Sequence, residues 1–173
     1  MTRFFTLFIA TVAVLFGVEM LNPVQAAVIE PWTNGLARLS AWIMTAFDPD
    51  VVSQGRVLQS QRTGFGVSIE AGCNGVEAAI ILIGGMLAFP APWRFKLVGL
   101  AVGIAAVQVA NLLRVISLYY LNMWNKEAFD FAHLYLWQAL IMLDVLVVWL
   151  LWMRSVARHT GAGLAVAPQE AAA

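Results

Sequence analysis

FKLVGLAVGIAAVQVANLLRVISLYYL, residues Phe95–Leu121, is the stretch on which the architecture turns. It is apolar for longer than the roughly 20 residues that cross a hydrocarbon layer about 30 Å thick. Yet Gln108, Asn111, Arg114 and Ser117 recur in it at every third residue, a polar stripe turning slowly around a helix. Such a stripe is costly in lipid, so it is expected to face the interior of a helix bundle. Three further apolar runs, Phe4–Leu21, Gly75–Pro92 and Leu134–Met153, are of near-spanning length. The 173 residues are 61% hydrophobic and 12% charged, against roughly a quarter charged in an ordinary domain. The expected fold is an all-α integral membrane protein of about four transmembrane helices, with one membrane-embedded unit over residues 1–153.

The basic residues orient it. Arg3 precedes the first run, Arg94 and Lys96 flank the tight turn between the second and third, and Arg154 and Arg158 follow the fourth. With four spans these places share one side, which the positive-inside bias assigns to the cytoplasm. Residues 22–72 and 122–131 then lie outside, and residues 154–173 form a cytoplasmic tail, disordered from Gly161, where Ala, Gly and Pro dominate. Residues 1–26 also carry features of a secretory signal peptide: Arg3, an apolar core and Val24-Gln25-Ala26. The core is long for a leader and Glu19 interrupts its end, which favours a retained span. Zero net charge argues against a nucleic-acid partner.

The outer segment 22–72 reads as ordered. Trp32, Leu36, Leu39, Ile43 and Phe47 follow helical spacing, with Asn34, Arg38 and Ser40 between them, as in an amphipathic helix lying on the outer interface. Asp48-Pro49-Asp50 ends it. A short β-hairpin is expected from Arg56–Gln59 and Phe65–Ile69, with Phe65, Val67 and Ile69 alternating on one face. Gly99 and Gly103 form a small-xxx-small pair that lets another helix come close.

Chemistry concentrates at the outer side. Cys73, the only cysteine, lies in Ala71-Gly72-Cys73-Asn74-Gly75-Val76-Glu77 at the start of the second run. A single cysteine excludes a disulfide within the chain and a thiolate metal cluster. Asn74 is a preferred N-cap residue and Glu77 completes a capping-box-like pattern, so helix N–H groups should lie near the sulfur and favour thiolate. The alternative is a buried, inert thiol. Arg114 sits about 10 Å inside the end of its run, counting from Leu121, where it either snorkels to the interface or serves a site. His133 opens the last run at the same face, as an interfacial residue or as a base and proton donor. Asp144 is eleven residues beyond it, near the same helix face but about 16 Å deeper, as a structural or a functional carboxylate. His159 is on the opposite side.

Ala71-Gly72-Cys73-Asn74-Gly75, then Asn111-Leu112-Leu113-Arg114, then His133, in this order and topology, resembles the exosortase/archaeosortase membrane transpeptidases. The short chain, Phe89-Pro90-Ala91-Pro92-Trp93 and the run from Phe131 to Leu140 are similar to the compact exosortase H type. The resemblance covers about Phe4 to Met153. It implies a cysteine peptidase or transpeptidase of the bacterial cytoplasmic membrane, its site toward the periplasm, with Cys73, Arg114 and His133 catalytic; the residues themselves offer Asn111, Asn74 and Asp144 as candidate supporting groups. The implied partners are exported proteins with a C-terminal tripartite sorting signal, and membrane lipid; no metal or organic cofactor is implied. The acceptor is left open. Rival readings are a non-catalytic assembly protein that binds helices through the polar stripe, and a membrane acyltransferase using a thioester on Cys73.

Overall fold

A computed structural model describes residues 2–160. The expected tail from Gly161 lies outside the described residues. Helix α1 (Thr2–Glu19) leads through the short α2 (Asn22–Val24) and a π turn (Gln25–Ile29) into α3 (Glu30–Met44). A three-stranded antiparallel sheet follows: β1 (Val51–Gln54), β2 (Val57–Ser60) and β3 (Gly66–Ser68), in that order. Then come α4 (Val76–Ala88), α5 (Trp93–Trp124), α6 (Lys126–Phe131), a second π turn (Ala132–Leu136) and α7 (Trp137–His159).

Three helical stretches are long and apolar enough to span a membrane: Thr2–Glu19, Trp93–Trp124 and Lys126–His159. The run Gly75–Pro92 falls short of the expected fourth span. Its helix α4 has 13 residues, about 20 Å at 1.5 Å per residue. Gly75 at φ 75° starts it, and the extended Phe89 before Pro90 and Pro92 stops it. A short helix is tolerable here because α4 is central. It packs against α1, α5 and α7, with Ala78, Ile80, Leu82, Gly84, Gly85, Met86 and Ala88 buried. At the other end of the chain α7 runs to His159, so residues 154–159, expected in the tail, are helical.

Glycines and aromatic rings set the register. A Cβ on Gly84 would sit 2.6 Å from Val12, and one on Gly103 would lie 2.8 Å from Leu82 and 3.2 Å from Val148. Gly99 packs directly on the indole of Trp152, whose N–H donates to the Phe95 carbonyl at 2.9 Å. The expected small-residue pair on α5 therefore seats α7 and α4, the close approach that bundles in lipid use. Matching Gly75 to Gln108, Gly103 to Leu82 and Met86, and Leu87 to Lys96 shows α4 and α5 antiparallel. Packing of Gly84 on Phe8 and Val12, and of Phe4 near Trp149, makes α1 an integral layer, a packing that removal of residues 1–26 would strip away.

The outer segment folds into a cap. The hairpin of β2 and β3 forms as expected, and β1, which the pattern Val-Val-Ser-Gln did not announce, adds a third strand through a turn with Gly55 at φ 58°. Ile69 is buried and Phe65 and Val67 are partly buried against the same cluster as Leu36, Met44, Leu58 and Tyr119. Helix α3 presents the expected apolar face outward except at Leu36, which is buried. Its inward stripe is Thr33, Leu36, Ala37, Ser40, Ala41 and Met44, whereas Trp32, Leu39, Trp42 and Phe47 are exposed. Small residues let the sheet and α5 approach, and the large apolar ones face outward as interfacial anchors do.

Gly99→Leu is expected to drive side-chain atoms into Trp152 and destabilise by about 1–3 kcal/mol. Gly17→Ala, with nothing within 4 Å of the added carbon, should be neutral or stabilise by up to about 1 kcal/mol. Thermal unfolding of the detergent-solubilised protein compares the two.

Candidate active site

The loop joining β3 to α4 carries the cysteine, and side chains of other elements hold its backbone. The Cys73 N–H donates to the Glu70 carbonyl at 3.0 Å, and the Gly72 N–H donates to Glu77 Oε1 at 2.6 Å. Arg114 Nη1 donates to the Gly72 carbonyl at 2.9 Å. Trp32 Nε1 donates to the Asn74 carbonyl at 3.2 Å, and Gln108 Nε2 to the Gly75 carbonyl at 3.3 Å. Asn74, 1% exposed, donates from its amide to Thr33 Oγ1 and accepts the Val76 N–H on its Oδ1. The α4 cap residue is thus Gly75 rather than Asn74, although the Asn74 side chain does meet a helix-start N–H. Glycine is required at 75, because φ is 75° and an added Cβ would stand 2.7 Å from Gln108 Nε2.

His133 arrives from the opposite wall. It lies in the π turn between α6 and α7, where wider winding re-aims side chains. Its Nε2 is 3.1 Å from Cys73 Sγ. The ring stacks on Phe129, with centroids 5.3 Å apart and planes at 16°, so its orientation is constrained. With the proton on Nδ1, Nε2 accepts the thiol proton. Phe129 escaped the sequence reading, though its i,i+4 spacing to His133 on a helix carried the signal.

Arg114 is 3% exposed, so it does not snorkel to the surface. Its guanidinium lies under the loop. Nε has no protein partner, nor do either amide atom of Asn111, which is 0% exposed, or Gln108 Oε1. Of the polar stripe of α5, Gln108, Asn111 and Arg114 face the interior beneath Gly72–Gly75, whereas Ser117 is exposed and its hydroxyl donates to the Arg114 carbonyl. Asp144 stands apart: it is half-buried on α7 with Oδ2 unpartnered and lines none of the cysteine's cleft. The π turn breaks the 3.6-residue periodicity from which a shared face with His133 was expected.

Burial pushes the Cys73 thiol above its ordinary value; the Arg114 charge pulls it down, and Glu77 and Glu70 push it further up. The expected bias toward thiolate is reversed, because desolvation outweighs the cation and two carboxylates flank the loop. The resting group is a thiol with an imidazole in contact. A cleft of about 130 Å³ opens onto it, lined by Leu58, Val67, Ile69, Ala71, Val115, Leu118, Phe129 and His133 among others. A narrow, mostly apolar cleft ending at a thiol and an imidazole has the groups that acyl transfer needs.

The site belongs to the class of membrane-embedded cysteine–histidine centres. The family model described as Transmembrane exosortase (Exosortase_EpsH) matches residues 1–151, and the chain belongs to that family of membrane transpeptidases. No curated protein and no solved structure matches it.

Alkylation of Cys73 by iodoacetamide should rise with pH through a midpoint above the roughly 8.5 of a free thiol. Because Arg114 lowers and Glu77 raises the midpoint, Arg114→Gln should move it up and Glu77→Gln down. A rate already maximal at pH 7 would contradict this electrostatic balance.

Proposed function

We propose that this exosortase is a cysteine transpeptidase of the bacterial cytoplasmic membrane. It cleaves the C-terminal sorting signal of exported proteins and transfers them to an envelope acceptor. The observation that carries the reading is the 3.1 Å contact of Cys73 Sγ with His133 Nε2, at the end of the bundle where Arg114 lies behind the loop. His133 takes the thiol proton as Sγ attacks the scissile carbonyl. Negative charge then develops on that oxygen, and the Arg114 cation, whose field already reaches Sγ, favours it. His133 protonates the leaving amine, a thioester remains on Cys73, and the acceptor displaces it. Asn74 holds the loop's flank through Thr33 and the Val76 N–H, and Asn111 lies beneath Gly75 with its amide unpartnered. Asp144, distant from the thiol, is given no step.

The antiparallel helices gather Arg94, Lys96 and Arg158 at the end opposite Cys73, which supports a periplasmic site by the positive-inside bias. The membrane then holds the substrate's own helix beside the enzyme and raises its effective concentration.

Co-expression with a tailed substrate, followed by its size, tests the chemistry. Cys73→Ala should abolish processing while the protein still inserts, and His133→Ala should slow it about a hundredfold or more. Arg114→Lys keeps the charge but loses the planar fork that reaches Gly72, and should cost about a hundredfold. Normal processing by Cys73→Ala would favour a helix-binding role instead.

Topology has its own check. A membrane-impermeant thiol reagent should label Cys73 in intact spheroplasts, and a reporter fused after Met153 should read as cytoplasmic. An external reporter there overturns the orientation.

A further inference from the structure

Helix α4 stops at Ala88, whereas α7 runs on to His159. Phe89 marks the stop: its ring meets Trp149 and Trp152 edge-on, with centroids 6.4 and 5.6 Å away. Beside it a groove of about 540 Å³ opens along α7. Val147, Leu150, Leu151 and Arg154 form its long wall, at the spacing of one helix face. The three apolar residues are exposed, and the stripe is about 10 Å long. Among the described residues of the lining, Arg154 at its end is the only polar side chain. It is exposed and has no ion-pair partner among the described residues. Its surroundings are uniformly basic. Segments 2–18, 89–107 and 145–160 bring Arg3, Arg94, Lys96, Arg154 and Arg158 to this end and contain no Asp or Glu. Lys96 is already engaged, donating to the Leu87 carbonyl at 2.7 Å and lying 5.8 Å from the Trp93 ring centroid.

We propose that this groove binds an anionic phospholipid, with an acyl chain along Val147, Leu150 and Leu151 and the phosphate on Arg154. A lipid chain in a leaflet runs along the membrane normal, as a spanning helix does, and α7 belongs to a stretch of spanning length and apolarity. Polarity along the groove changes in the same order as polarity along a lipid, apolar wall first and cation at the end. Exposed Trp93, at the same end of the bundle, marks the headgroup level. A planar guanidinium takes two phosphate oxygens at once. A zwitterionic lipid offers the same phosphate but brings its own cation among five basic residues and no acid, so a net negative headgroup is preferred. The bound chain covers Leu150 and Leu151 and braces α7 against Phe89, where α4 has ended. Binding of this kind is independent of what Cys73 does.

The test uses the full-length protein, delipidated in a neutral detergent. Dioleoyl phosphatidylglycerol and dioleoyl phosphatidylcholine are titrated separately, and native mass spectrometry counts bound lipid and yields each affinity. Phosphatidylglycerol should bind at one copy per chain, about tenfold more tightly than phosphatidylcholine, and should raise the melting temperature. Arg154→Gln should weaken phosphatidylglycerol about tenfold, the worth of one charge-assisted contact. Arg94→Gln removes the same charge outside the lining and should weaken it by less than about threefold. Leu151→Trp, which fills the groove, should weaken both lipids. Arg154 and Leu151 are exposed, so neither variant should shift the lipid-free melting temperature. Equal affinity for the two lipids, equal losses in Arg154→Gln and Arg94→Gln, or unchanged binding by Leu151→Trp overturns the site. Competition by glycerol phosphate, a headgroup without chains, would make it a site for free anions and overturns the lipid. A protein dimer that Leu151→Trp dissolves, with no lipid retained, assigns the groove to a second copy and overturns it equally.

Discussion

Three of the four carbonyls from Gly72 to Gly75 are held by side chains that reach them from other elements: Gly72 by Arg114, Asn74 by Trp32 and Gly75 by Gln108. An irregular loop at the edge of a membrane has no ladder of its own, and each buried carbonyl left without a donor costs about 1–3 kcal/mol. The partners come from α3 and α5, while Glu77 on α4 holds the Gly72 N–H. The cap, the central short helix and the polar helix therefore meet at one four-residue segment. Displacing any one of them uncovers a polar group in a low-dielectric setting, so the position of the cysteine depends on the packing of the whole bundle.

Helix α5 serves two ends with two surfaces. Near its start, Gly99 and Gly103 admit the rings and methyl groups of Trp152, Leu82 and Val148 at the closest approach backbones allow. Two turns and more beyond, Gln108, Asn111 and Arg114 turn the same helix polar where the loop crosses it. The apolar half fixes the distance between helices, and that distance decides whether a guanidinium from α5 reaches Gly72. Stability and site geometry are thus one problem along one helix.

Much of this was legible in the residues. Apolar runs marked the helices, period-two alternation marked the hairpin, and the charge bias brought Cys73, Arg114 and His133 toward one end. What the sequence pattern did not reveal depended on tertiary geometry. Helix α4 is shorter than its apolar run because the prolines at 90 and 92 take its last residues, and burial among three helices removes the need for full length. Strand β1 has no alternation of its own and exists because β2 offers it an edge. The inward face of α3 is small and partly polar, Thr33 and Ser40 included, so a search for large apolar residues found its outer face instead. A π turn is invisible to a 3.6-residue count, and it breaks the count that put Asp144 and His133 on one helix face.

The thiol shows why composition near a group does not fix its ionisation. A helix start and an arginine both argue for thiolate, yet desolvation is the larger effect and two glutamates add to it. Placing Arg114 under the backbone rather than in the cleft reconciles the two demands on it. In the proposed mechanism the cation stabilises charge when an oxyanion forms, and Arg114 lines none of the cleft at Cys73. It also holds the loop at Gly72, next to the cysteine. In the proposed mechanism a protonated thiol in contact with a stacked imidazole is activated by transfer over a single hydrogen bond. A carbonyl placed against the sulfur makes that transfer favourable, so nucleophilicity is coupled to occupation of the cleft.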